Sequence, residues 1–314
     1  MPPKPIVVGV DDSPESRRAL ALAWKIAEAA HAELIPVHAV PDLWLATGLG
    51  DTPVVLPEVQ ESLTQASRKQ IEGVIAEVLP HSAARHLEVR TGPAAFAIAA
   101  VARQRRAELV VLGGRQHAAL ARGLGRSTAH YLVRTLDIPI LVAGHSLGAL
   151  TRVLAAVDLS NAAVPAIRGA ERLAKLLGGK LRIVHVVEPL QLMYLPVDPR
   201  DQAAWERRSR EAFERLMAPL AALVPEDQIV RTGPVIETIV AEAAAWKADS
   251  LVVGSHGKGW VDRLLVGSTT ERLLNELPTS LLVIPTAAAA KKRTRARARK
   301  LPRQRRSKAK AKRK

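Results

Sequence analysis

The chain has 314 residues, 48% apolar and 3% aromatic, with no cysteine and a formal net charge of +16. The length suits two ordinary domains, and aliphatic side chains must fill their cores. Without cysteine there can be no structural disulfide, cysteine-based zinc site or thiol catalysis.

The elements follow in chain order. The start, MPPKPIVVGV, lacks the apolar core of a secretory signal, and no apolar run is long enough to span a membrane. A cytoplasmic protein is the expectation. A β-rich run, Ile6–Val10, ends at Asp11, and a helix follows over about 14–30. A second strand within 32–40 ends in His38-Ala39-Val40. A variable loop leads to a long charged helix over about 58–79. The stretch Leu87–Arg90 reads as a third strand. A helix opens at Gly92-Pro93, where proline suits the first turn. A fourth strand, Leu109–Leu112, ends at Gly113. A glycine-containing loop, a last helix and a fifth strand, Ile138–Val142, complete the set.

The whole order then recurs. RTGP occurs at 90–93 and again at 231–234, and RTGPAAFAIAAVARQRRAELVVLGG lies over RTGPVIETIVAEAAAWKADSLVVGS at a shift of 141. Nearer the start of each half the shift is 147: IVVGVDDSPES matches VLAAVDLSNAA, and AELIPVHAV matches GKLRIVHVV. The second half therefore predicts strands at Val153–Val157, 179–187, Gln228–Arg231, Leu251–Val253 and Ser280–Ile284. Its helices fall over about 161–177 and 201–223, from Pro234, and before the last strand. Internal duplication of strand–helix units implies parallel βαβ connections, and the continuous apolar strands imply sheets covered on both faces.

Between the halves stands Gly144-His145-Ser146-Leu147-Gly148, a match to the G-x-S-x-G elbow of serine hydrolases. That elbow needs a helix directly after the serine. The repeat instead puts the first strand of the second half there, so the match reads as a Gly/Ser linker over 144–151.

The fourth strand, its glycine loop and the following helix form a phosphate-binding arrangement in principle. Glycines admit phosphate oxygens to backbone N–H groups, and a helix N-terminus adds partial positive charge. The second half has Gly254-Ser255-His256-Gly257 and, after nine residues, Gly267-Ser268-Thr269. This G-x2-G-x9-G-[ST] pattern resembles the ATP-binding motif of the universal stress protein family. The resemblance covers residues 5–143 and 152–284. It implies an α/β fold of two tandem doubly wound domains, each with a five-stranded parallel sheet of the adenine-nucleotide alpha-hydrolase-like type, over 1–143 and 152–286. It also implies ATP, with Mg²⁺, as cofactor. In the second half it assigns Asp158 to the ribose and phosphate–metal region, Val186 to adenine, and Gly254, Gly257, Gly267, Ser268 and Thr269 to the phosphates.

The first half departs from the motif. Asp11, Ala39, Gly113, Ser127 and Thr128 keep the corresponding places, but Gln116 and Arg126 replace two glycines. A side chain there crowds a close phosphate approach, whereas Arg115, Arg122 and Arg126 could hold an anion. A degenerate first site is expected.

The bland alternatives are as concrete. Asp11 and Asp158 could cap the following helices. His38 and His185 sit on apolar strands and read as wall residues. The histidines show neither HxxxH nor HxH spacing, so no zinc site is expected. Without a Walker A lysine or an evident water-positioning residue, hydrolysis of ATP would be slow at most.

The charge is concentrated in one place. Residues 291–314 carry 15 of the 46 lysines and arginines and no acid, so the remaining body is near neutral. Residues 287–314 read as a disordered tail, with nucleic acid or another polyanion as candidate partner. The expected function is a nucleotide-dependent stress-response regulator, its halves packed as an internal pseudo-dimer and open to further homo-oligomerisation. A scaffold that has lost its ligand, or a nucleic-acid-associated protein driven by the tail, are the competing classes.

Overall fold

The computed structural model describes residues 3–42, 57–80, 86–114, 128–145, 150–160, 163–190, 197–220, 227–255 and 266–285. The first half comprises β1 (Ile6–Gly9), α1 (Pro14–Ala30), β2 (Leu34–Val40), α2 (Pro57–Val78), β3 (Glu88–Thr91), α3 (Ala94–Gln104), β4 (Leu109–Gly113), α4 (Thr128–Thr135) and β5 (Ile140–Ala143). The second comprises β6 (Arg152–Ala156), α5 (Ala163–Leu176), β7 (Lys180–Val187), α6 (Pro199–Met217), β8 (Gln228–Thr232), α7 (Val235–Ala245), β9 (Ser250–Gly254), α8 (Ser268–Glu276) and β10 (Ser280–Ile284). The basic tail lies outside the described residues.

The strands form because successive aliphatic side chains point to opposite faces and both faces are covered. In β1, Ile6 and Val8 enter one core while Val7 enters the other. Helices α1, α2, α5 and α6 cover the first face, and α3, α4, α7 and α8 the second. Each apolar core draws side chains from both halves, so neither half has a core of its own.

Within each half all five strands are parallel. The two sets meet where β5 pairs antiparallel with β10, Leu141 opposite Leu282, giving one ten-stranded sheet in the order β3-β2-β1-β4-β5-β10-β9-β6-β7-β8. The expected pseudo-dimer is thus a continuous sheet with an antiparallel seam. Val37 pairs with Glu88 in the first half and Val184 with Ile229 in the second, reproducing in three dimensions the two shifts read from the sequence.

Several local features follow from the residue types. The glycine of each RTGP has positive φ, 103° at Gly92 and 152° at Gly233, a region that favours glycine. The prolines after them stand at the N-cap, one position before the first helical turn. Strand β5 opens at Ile140 and not at Ile138, because Pro139 intervenes with no N–H for the ladder.

The halves differ in matched pairs. In the first half, Ile35 and Val101 are fully buried in one of the shared apolar cores. At the corresponding positions Arg182 donates to Glu242 at 2.7 Å, and Glu242 is only 6% exposed. Arg231 also donates to Glu242 at 3.0 Å, Arg182 reaches Asp227 at 2.9 Å, and its guanidinium lies over the Trp246 ring. Burial works against the Arg182 charge, but the bonds to Asp227 and Glu242 outweigh it and raise its pKa above the ordinary value. Likewise Phe96 packs on Tyr131 in the first half, where the second has a Glu237–Arg272 ion pair at 3.2 Å.

Candidate functional site

Strand order reverses between β1 and β4 and again between β6 and β9, and clefts open outside the carboxyl ends of open parallel sheets at such points. In the second half, β6 ends one residue before Val157. The Val157 N–H bonds the Val184 carbonyl at 2.9 Å, and the Val157 carbonyl accepts from His185 Nδ1 at 2.9 Å. His185 is buried with its ring stacked on Phe213. This pin carries Asp158 just past the sheet, where its Oδ1 accepts from the Ser160 amide and hydroxyl.

The first half repeats the device. His38 Nδ1 donates to the Val10 carbonyl at 2.8 Å, and Asp11 accepts from the Ser13 amide and hydroxyl. Ser13, not Asp11, caps α1 by accepting from the Ser16 amide at 3.2 Å. Both histidines therefore act as wall residues that set where the aspartate stands.

The other end of the cleft is built from β9 and α8. Gly267 occupies the N-cap of α8 and, as glycine, brings no side chain to cap the helix. The first amides of a helix have no intrahelical acceptor, and anions are favoured there. Thr270 Oγ1 donates to the Gly254 carbonyl at 2.8 Å and the Gly267 amide to the Ser255 carbonyl at 3.0 Å, which hold α8 against the strand end. Ser268 is exposed, Thr269 half-buried and Thr270 buried.

Asp158, Val186, Gly254, Gly267, Ser268 and Thr269 line one cavity of about 390 Å³, within the usual size of small-molecule sites, about 300–1,000 Å³. Gly257 and His256 lie outside the described residues. Three further wall residues, Glu188, Trp205 and Ser209, escaped the sequence reading. Trp205, Ser209 and Phe213 recur at four-residue spacing on α6, a pattern that marks one helix face and was the available signal.

In the first half, Asp11, Ala39, Gly113 and Thr128 line a matching cavity of about 370 Å³. Its body is therefore about as large as the second. The departures from the motif, Gln116 and Arg126, and the arginines Arg115 and Arg122 lie outside the described residues, as does Ser127. A Cβ on Gly113 would come within 2.7 Å of the Glu15 backbone, so glycine here admits the first turn of α1. Among the described residues no three histidine, aspartate or glutamate side chains converge on a metal position.

The GHSLG stretch has a different use. Gly144 donates to Ser280 Oγ at 3.1 Å, and a Cβ there would strike the Thr279–Ser280 backbone at 2.7 Å. It is a close-approach glycine at the seam. Strand β6 opens at Arg152, leaving no length after Ser146 for a packed elbow helix. Ser146 itself lies outside the described residues.

Doubly wound topology with a cleft at each switch point defines a duplicated α/β protein. The model of the Universal stress protein family matches residues 3–144 and 150–285. The chain belongs to that family. A universal stress protein of Mycolicibacterium smegmatis is 26% identical over 291 residues, covering 89% of this chain and 96% of that protein. One of Thermus aquaticus is 35% identical over 135 residues, 42% of this chain and 96% of its own length. Among solved structures, a universal stress protein from Archaeoglobus fulgidus superposes with a TM-score of 0.62 at 19% identity, over 91% of this chain and 100% of that one. No described helix is long and apolar enough to cross a membrane.

Proposed function

We propose that the second half binds ATP with Mg²⁺ and that the protein acts as a stress-response regulator in the cytoplasm through its nucleotide-loaded state. One observation carries this reading. Val186, Asp158 and Gly254 stand at or just past the carboxyl ends of three adjacent strands, β7, β6 and β9, in one cavity. Neighbouring strands are about 4.8 Å apart, so the three positions follow the base, ribose and phosphate sequence of a nucleotide laid across the sheet. In this reading Asp158 accepts from ribose hydroxyls, and the α8 amides with Ser268 and Thr269 receive the phosphates. Bound Mg²⁺ would supply neutralising charge to the phosphates next to Asp158.

The test is the nucleotide content of purified protein, released by denaturation and separated by chromatography, alongside ATP titration with Mg²⁺. About one ATP per chain supports a working second half and a degenerate first. About two would mean that the loop substitutions of the first half are tolerated. None, with no titration, overturns the reading in favour of a scaffold.

The tail supports a second, additive role as a polyanion tether. Its 15 positive charges would release counterions from nucleic acid without reading sequence. Deleting 287–314 should abolish low-salt binding to duplex DNA; unchanged affinity removes the role.

A further inference from the structure

We infer that Trp205 is the aromatic wall on which the ligand's base stacks, and that it sets a preference of the second-half cleft for planar heteroaromatic ligands. This rests on the nucleotide reading of that cleft and adds a residue to it. Trp205 lies on α6, the helix that flanks β7, and it lines the same cavity as Val186 at the β7 end. The glycines and the α8 N-terminus lie two strands away, at the β9 end. Trp205 therefore adjoins the base end.

Its indole is held in place. Nε1 donates to the Glu188 carbonyl at 2.9 Å, and one turn earlier Gln202 accepts from the Leu190 amide at 2.9 Å. These two bonds clamp the start of α6 to the chain leaving β7. The helix is itself begun by Asp198, which accepts from the Arg200 amide at 2.7 Å. Deeper on the same helix face, Ser209 and Phe213 are buried, 6% and 3% exposed, whereas Trp205 is 40% exposed. A tryptophan whose N–H is already satisfied, and whose ring is left partly open at a cavity mouth, offers a flat apolar surface at little further ordering cost. An indole satisfies a base by its face, which every base presents.

The two halves differ here. Among the described residues that line the first-half cavity there is no tryptophan, tyrosine or phenylalanine. Ala39 stands where Val186 does. The two cavities have similar volumes, and among the described residues they differ at this end by the Trp205 ring.

The test titrates the full-length protein and its Trp205→Ala and Trp205→Phe variants with ATP, adenosine and inorganic tripolyphosphate by calorimetry. Trp205→Ala should weaken ATP and adenosine about tenfold or more, in line with loss of one base–aromatic stack, and leave tripolyphosphate unchanged. Trp205→Phe, which keeps a ring but not the N–H, should retain most of the affinity. Wild-type ATP affinity in Trp205→Ala, or an equal loss for tripolyphosphate, overturns the stacking role while leaving the nucleotide site standing. A Phe variant as weak as the Ala variant assigns the effect to the Glu188 bond and also overturns it. Wild-type protein that takes up neither ATP nor adenosine overturns the site reading and the role of Trp205 together.

Discussion

Ser268 and Leu274 stand on the same short helix, α8, yet face different clefts. Ser268 lines the second-half cavity, and Leu274 lines the first-half cavity. At 1.5 Å per residue the helix carries the chain about 9 Å between them. It can do so because β10 pairs with β5, which sets α8 beside α4 over the seam. Leu274 is 6% exposed, so Leu274→Ala should lower stability by about 2–5 kcal/mol through the cavity left behind. Chemical denaturation measures it, and a loss well under 1 kcal/mol would show that the seam does not depend on this side chain.

The exchange of Ile35–Val101 for Arg182–Glu242 makes a double-mutant cycle informative. Among the described residues, Arg182→Ile leaves the buried Glu242 with the half-exposed Arg231 as its ion-pair partner, and it should cost about 3 kcal/mol. Adding Glu242→Val installs the apolar pair of the first half. The double variant should recover most of that loss, since buried ion pairs are often replaceable by well-packed apolar residues. Additive losses in denaturant midpoints would contradict this.

Gly267→Val should abolish ATP binding by placing a branched side chain beside the first α8 amides. Gly123→Val, in the first-half loop, should leave second-half binding intact. Calorimetric titration of both variants decides it, and equal loss from the two would argue against a second-half site.

Glu88 predicts part of the acid response. Burial raises its pKa, but donation from Arg105 and Arg90, with their charges, outweighs that and holds the carboxyl below its ordinary value of 4.5. Because the folded value is the lower one, the stabilisation is complete above the unfolded pKa and is lost as pH falls through the folded pKa. Glu88→Gln should therefore be less stable than wild type at neutral pH, and the difference should shrink as the solution is acidified below about pH 4.5. Thermal midpoints across pH 3 to 7 test the sign.

His31 and Gly178 close α1 and α5 at equivalent places, both with positive φ, 51° and 63°. Left-handed backbone strains a side chain but not glycine. His31→Gly should raise stability by roughly 0.5–1 kcal/mol, read from denaturation midpoints. A loss instead would mean that the His31 side chain contributes more than its backbone strain costs.

The duplication, the element order and six residues that line the second cavity were legible because they are local. A side-chain period of two or of about 3.6 separates strand from helix, and Asp158, Gly254 and Gly267 sit in short motifs at fixed offsets from those elements. Boundaries shifted at several elements: β6 runs Arg152–Ala156 against the expected Val153–Val157, α6 runs Pro199–Met217 against about 201–223, and at β5 Pro139 delays the start to Ile140. The first-half loop departs from the motif at Gln116 and Arg126, while the described walls of its cavity come chiefly from β1, β2, β4, α1 and α3, with Leu274 of α8. What the tertiary structure decided is non-local. Apolar pattern tells a strand which faces are buried but not which edge will pair, so the β5–β10 seam could not be read in advance. That seam carries α8 between the clefts, turns Gly144 into a close-approach glycine and joins two half-cores across the sheet. Trp205 is the same case at smaller scale: on α6 it is one amphipathic position among others, and only the packing of α6 beside β7 makes it a cavity wall.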